Sequence, residues 1–205
     1  MRRRAYVSSV RAAAAAEKRQ RVIEAAAKSL REDASIASFS LDTVAKAAGV
    51  TRLTVYNQFG SRRALLEAVF DDIARRGGLA GIADAMAMPD PHIALERLIE
   101  IFCSFWSNDP AAGRLHDAMA TDPEFAQALI ERNERRRKAL SVLVERTVGN
   151  TAPHRARQDA VDMMFALTSY AMFAMLRRGR PATDVCRLVK SACRSALDPL
   201  MPGQR

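Results

Sequence analysis

Histidine, cysteine and paired aspartate are the residues of this sequence most able to make and break bonds. The chain has three histidines and three cysteines. A metal site needs ligands at helical or loop spacing, but His92, His116 and His154 fall in separate segments. Cys103, Cys186 and Cys193 also lack metal spacing. Cys186 and Cys193 lie one heptad apart on one predicted helix, too far along it to bridge each other. Their odd number fits free thiols in a reducing cytosol. Asp71-Asp72 and the Asp159/Asp162 pair read as solvated helix faces. There is no glycine-rich phosphate loop and no nucleophile elbow. Catalysis, a bound metal and a cofactor are therefore not expected.

A second kind of chemistry is better represented: the recognition of a polyanion by hydrogen-bonding side chains. Between Ser40 and Arg62 the sequence reads SLDTVAKAAGVTRLTVYNQFGSR. Thr43, Thr51, Arg52, Leu53, Thr54, Tyr56, Asn57 and Arg62 fall within these few turns. No acidic residue lies between Asp42 and Glu67, and a face without acids suits a phosphate backbone. Thr51, Tyr56 and Arg62 are expected to hold phosphates, with Thr43 beside them. Arg52, Thr54 and Asn57 are expected at base edges or the adjoining backbone. Leu53 could touch a thymine methyl or widen the core.

Two short helices must position these groups. Ser40 is a good N-cap, and Leu41, Val44, Ala45 and Ala48 recur at helical spacing. Gly49 follows where a left-handed residue ends a helix most cheaply. Thr51 caps a second helix, Arg52 to Phe59, with Val55 and Phe59 inward. That is the layout of a helix-turn-helix, whose second helix enters the major groove. The alternative is a helix hairpin within an all-α core.

The stretch VAKAAGVTRLTVYNQFGSRRALLEAVF resembles the DNA-binding domain of the TetR family of transcriptional regulators. The likeness lies in Val44-Ala45, Ala48-Gly49-Val50, the Thr51 cap, Thr54-Val55-Tyr56, Phe59, Ser61 and Leu65-Leu66. It extends to a first helix, RQRVIEAAAKSLRED, with an apolar stripe of Ile23, Ala26, Ala27 and Leu30 closed by Phe39. The chain departs from the common pattern at Leu53, Asn57, Gln58 and Arg62. The resemblance implies a repressor released from a near-palindromic operator by a small-molecule effector. It also implies a homodimer built from the last two helices, which form a four-helix bundle across a two-fold axis.

The rest of the chain supports a fold of this kind. Its 205 residues are 49% hydrophobic and 27% charged, the balance of a globular protein. Strand alternation and Asn-Gly hairpin signals are absent, so the fold class is all-α: a three-helix DNA-binding domain and a helical effector-binding and dimerisation domain. The net charge is +9. Through Arg76 there are 15 basic and 8 acidic residues, against 17 and 15 afterwards. The excess thus lies with the helix-turn-helix, where a double-stranded DNA partner would need it. Residues 1–17 read as a basic, flexible arm, in which Arg2, Arg3 and Arg4 either reach the backbone or minor groove or serve as a solubilising tail. Residues 18–63 form the DNA-binding domain and 64–205 the effector domain, with Arg62–Arg76 connecting them. No stretch approaches the ~20 apolar residues of a membrane span, and no membrane partner is expected.

Further helices are expected over Ile93–Trp106, near Ala111–Ala120, from Pro123 to about Val148, over His154–Arg178 and from Ala182 to about Leu197. The charged middle of the third of these, Glu131 to Lys138, reads as surface. The helix from His154 is apolar around most of its circumference and asks for cover on nearly all faces. A second copy of the chain is the simplest cover; the alternative is a central core helix in a monomer. Phe102, Trp106, His116, Met119, Met164 and Tyr170 could line an effector cavity among these helices. Methionines adapt to varied ligands, and Trp106, His116 and Tyr170 each carry a polar handle. The competing function is a helical small-molecule binding or enzymatic protein whose helix-turn-helix is vestigial.

Overall fold

The absence of glycine and proline from the first 48 residues leaves nothing to interrupt helix. In the computed structural model, which describes residues 2–32, 36–149 and 152–201, the first helix, α1, accordingly runs from Arg2 to Glu32. The apolar stripe alone places its start near Lys18. The Ala12–Ala16 run, of the highest helix propensity, accounts for the extension. The contacts expected of Arg2, Arg3 and Arg4 lie outside the described side chains.

The other helices are α2 (Leu41–Ala48), α3 (Arg52–Phe59), α4 (Arg62–Arg76), α5 (Ile82–Ala87), α6 (Pro91–Asn108), α7 (Ala111–Ala118), α8 (Pro123–Val148), α9 (His154–Leu167), α10 (Tyr170–Leu176) and α11 (Ala182–Leu197). Short 3-10 turns occur at Ile36–Ser38, Leu79–Gly81 and Asp198–Leu200, and no strand occurs among the described residues. The all-α expectation holds. No single described helix is long and apolar enough to cross a membrane.

The chain divides into two compact units. The first contains the chain through Ile73 together with Pro110–Ala126. Its core takes Val22, Ala26, Ala27 and Leu30 from α1, Val44 and Ala45 from α2, and Val55 and Phe59 from α3. Leu65, Leu66, Val69 and Ile73 of α4 are also buried, as are Ala111, Ala112, Leu115 and Ala118 of α7. This division differs from the sequence-based boundary after Arg63. Helix α7 packs on α1 through small residues that gave no periodic signal strong enough to place it there.

The second unit contains Ala74–Asp109 and Gln127–Arg205. Leu95, Leu98 and Phe102 of α6 share its core with Leu140, Leu143 and Val144 of α8, Met164 of α9, Phe173 of α10, and Val185 and Val189 of α11.

The single helix expected over His154–Arg178 is two helices, α9 and α10, bent by 57°. Thr168 and Ser169 cause the break. The Thr168 hydroxyl donates back to the Met164 carbonyl at 2.8 Å, and Ser169 caps the next helix by accepting from the Met172 amide. The carbonyl of Thr168 accepts instead from Trp106 Nε1 at 3.0 Å and Arg136 Nη1 at 2.6 Å. Side-chain bonds that compete with the helix ladder are a recognised cause of such bends.

Candidate nucleic-acid interface

The helix-turn-helix is fixed at each end by side chains that satisfy free backbone groups. Ser40 accepts from the Thr43 amide at 3.1 Å, and Thr43 Oγ1 accepts from the Ser40 amide at 3.2 Å. This reciprocal capping box starts α2. Gly49 ends it at φ 65°, a left-handed conformation that favours glycine. Its amide and that of Val50 return to the carbonyls of Lys46 and Ala45. Thr51 then accepts from the Thr54 amide at 3.1 Å and starts α3.

Val55 and Phe59 are buried and anchor α3. Arg19 of α1 lies over the Phe59 ring at 4.2 Å and donates to the Gln58 carbonyl at 3.2 Å. With these faces occupied, α3 presents Arg52, Leu53, Tyr56 and Asn57 outward. They follow one another at i, i+1, i+4 and i+5, which places them on one stripe. Leu53 is 66% exposed and Tyr56 56% exposed. A leucine and a tyrosine on an otherwise polar stripe offer methyl and ring surface between hydrogen-bonding groups. Arg52 pairs with Asp42 at 3.4 Å, both side chains well exposed. Such a pair contributes little to stability, so phosphate or a base can compete for the guanidinium. Thr54 is half-buried, its hydroxyl 2.9 Å from that of Thr51.

Two of the expected contacts are changed by this geometry. Arg62 is not turned toward solvent. Its Nε donates to the Phe39 carbonyl at 3.2 Å, its Nη1 to Asp122 at 2.9 Å, and its Nη2 approaches the Ile36 carbonyl at 3.5 Å. The guanidinium also faces the Phe39 ring. These bonds give Arg62 a structural role that the sequence did not suggest: it ties the start of α4 to the turn before α2 and to the start of α8, and a phosphate would have to compete with those partners for it. The Thr43 hydroxyl is likewise spent, donating to the Ser38 carbonyl at 3.1 Å while completing the capping box.

Within the second unit, the residues expected to line a cavity are partly gathered. Phe102 and Met164 are buried core members. Trp106 meets Tyr170 edge-on at 5.5 Å. His116 and Met119 belong to the first unit. Clefts of about 600, 550 and 140 Å³ lie in the second unit, and none of the six expected residues lines any of them. Four of the six thus pack into or onto the core of the second unit, and two lie in the first.

Comparison with known proteins decides the family. Residues 89–201 match the profile described as the tetracyclin repressor-like C-terminal domain. Residues 23–69 match that of the bacterial regulatory proteins of the tetR family. This chain belongs to the TetR family. It is 37% identical over 112 residues to the HTH-type transcriptional regulator EthR of Mycolicibacterium smegmatis, covering 53% of this chain and 51% of that protein. The chain thus spans about half the length of this curated relative. The fold is shared with a structure from Rhodococcus sp. described as a TetR-family transcriptional regulator. Its TM-score is 0.73 at 18% identity, over 89% of this chain and 100% of that one. A TetR transcription regulator from Haloarcula marismortui gives 0.70 at 15% identity, over 90% and 98%.

Sequence reasoning missed the most unusual residue of this TetR-family chain. Arg136, placed on the surface by its charged neighbours, is only 6% exposed. Its guanidinium lies 4.3 Å from the centre of the Phe165 ring and 5.5 Å from that of Phe102. Burial pulls its pKa down to about 10, so it remains a cation at neutral pH. The signal was available only in three dimensions, where the break at Thr168 leaves a carbonyl in need of donors.

Proposed function

We propose that this TetR-family chain is a DNA-binding transcriptional regulator that acts as a homodimer on a near-palindromic operator. The observation that carries the reading is the outward stripe Arg52, Leu53, Tyr56 and Asn57 on a second helix capped at both ends. A short helix held this firmly presents side chains to the major groove with little entropy to lose. Arg52 and Asn57 read base edges, Leu53 meets a thymine methyl, and Tyr56 with Thr51 bonds phosphates. Thr54 and Thr43 shape the helix ends beside them. Two copies would set recognition helices roughly 34–36 Å apart, or at a spacing adjusted by DNA bending.

Support for the dimer comes from Met163 on α9, Met175 on α10 and Leu188 on α11, three large apolar side chains left exposed on the last helices. A small-molecule effector in the second unit would favour one half-site separation over another. Such coupling is typically about 1–3 kcal/mol and is reciprocal. We assign the effector to the packing around Arg136, where Phe102, Trp106, Met164 and Tyr170 supply aromatic and apolar surface beside one cation and would have to part to admit it. Trp106 is the chain's single tryptophan, so its fluorescence reports directly on that assignment.

The test is a gel shift with DNA from upstream of the chain's own coding sequence, across a salt series. Retarded species that weaken steeply with salt support the reading. A folded dimer that retards nothing at low salt overturns it.

A further inference from the structure

A cleft of about 550 Å³ between α6 and α11 is lined by Cys103 from the first helix and Cys186 from the second. Each thiol is the strongest single influence on the ionisation of the other. Neither belongs to the DNA-binding surface nor to the surroundings of Arg136. We propose that Cys103 and Cys186 form a hydroperoxide-reactive thiol pair, in which Cys186 is the attacking sulfur and Cys103 closes a disulfide that joins α6 to α11.

The roles follow from placement. Cys103 is buried, whereas Cys186 is half-buried at the cleft wall and within reach of a small oxidant. One helical turn beyond Cys186 stands Lys190, which pairs with Glu100 at 2.5 Å and Glu96 at 3.7 Å. Glu100 itself lies one turn before Cys103. The groups facing the sulfurs are therefore Glu96, Arg97 and Glu100 from α6 and Arg187, Lys190 and Arg194 from α11, two acids against four cations.

The neighbouring Cys103 thiol, helped by the Lys190 ammonium, lowers the Cys186 pKa to about 7 despite partial burial. The same proximity, with burial, pushes Cys103 up. Cys186 is thus the thiol of the pair that ionises first, with Cys103 neutral beside it. A thiolate poised in this way, next to a second cysteine, has the arrangement expected of a redox-sensing site. Cys193, fully buried on the same helix, is raised to about 12 by burial and serves as an internal reference.

The chemistry balances with one hydroperoxide. The Cys186 thiolate attacks the nearer peroxide oxygen; the O–O bond breaks, and hydroxide or alkoxide leaves. The product is a sulfenic acid at Cys186. Cys103 then attacks that sulfur, the S–O bond breaks, and the Cys103 proton leaves with the hydroxyl as water. Two thiols have lost two electrons, and the peroxide has gained them.

The experiment treats the reduced full chain with a few equivalents of hydrogen peroxide, followed by peptide mapping without reductant. The expected result is a Cys103–Cys186 cross-linked peptide, lighter by two hydrogens, with Cys193 still a thiol. Dithiothreitol restores both thiols. In a Cys103→Ser variant, a sulfenic acid accumulates at Cys186 and is captured by dimedone. Independently, iodoacetamide labelling of the untreated wild-type chain against pH shows Cys186 reacting far faster than Cys193, with a midpoint near 7. Recovery of Cys186 as a free thiol after excess peroxide overturns the proposal. So does a bridge to Cys193, or a labelling midpoint at the ordinary thiol value of about 8.5. The wild-type measurements need no variant to fold, and none of them depends on DNA binding.

Discussion

Replacing Arg62 with alanine separates a structural role from a DNA-contacting one. The side chain makes two well-formed bonds, to the Phe39 carbonyl at 3.2 Å and Asp122 at 2.9 Å, and a long one at 3.5 Å. Hydrogen bonds involving charged groups contribute about 1.5–3 kcal/mol each. Arg62 is 29% exposed and Asp122 15%, so water screens part of that, and the lower figure applies. The 3.5 Å approach adds little. Two bonds at the lower figure give a loss of about 3 kcal/mol for Arg62→Ala. Asp122 retains its bond from the Phe125 amide, which keeps the loss below that of a fully stranded charge. Arg62→Lys, able to keep one contact but not the fork, should lose about half as much. The assay is urea unfolding followed by far-UV circular dichroism, with DNA affinity measured at a temperature where every variant is folded. The account expects a lower midpoint, an unchanged slope, and an affinity and salt dependence close to wild type. Stability within about 0.5 kcal/mol of wild type, together with weaker binding to all DNA and a shallower salt slope, would refute the reasoning.

Three further outcomes are expected. Thr51→Ala removes the hydroxyl that starts α3 and should destabilise the first unit by about 1 kcal/mol, read from the same urea curves. Arg136→Met keeps the bulk between Phe102 and Phe165 without a buried charge and should be neutral or stabilising, whereas Arg136→Ala should lose about 3 kcal/mol. Paired urea curves distinguish them, and equal losses would mean that the charge itself stabilises the unit. Met163→Glu combined with Leu188→Glu places acids on the exposed apolar surface of α9 and α11 in both copies. Sedimentation velocity should show a folded monomer for the variant and a dimer for the wild type.

What could be read from sequence was what neighbouring residues decide among themselves. Ser40, Gly49 and Thr51 each satisfy backbone groups within three or four positions, so the turn and both of its helices were legible. The all-α class followed from the same local periodicity. The break at Thr168 was not legible, because it depends on whether Trp106 and Arg136 arrive to occupy its carbonyl. The burial of Arg136 and the internal bonds of Arg62 were illegible for a related reason. Arginine reads as a solvent or phosphate group until a distant carbonyl or aromatic ring claims it. Cys103 and Cys186 are 83 positions apart in the sequence, and only the packing of α6 on α11 makes them a pair.

The measurement that bears most directly on the central claim is selection of duplexes from a random-sequence pool by the folded chain, run in parallel with Arg52→Ala and Asn57→Ala. The account predicts enrichment of a near-palindromic sequence by the wild type, with preference altered at a few symmetric positions by each variant and affinity still steeply dependent on salt. A pool that stays random, or an enriched sequence that both variants read unchanged, would contradict the assignment of α3 as the helix that reads DNA.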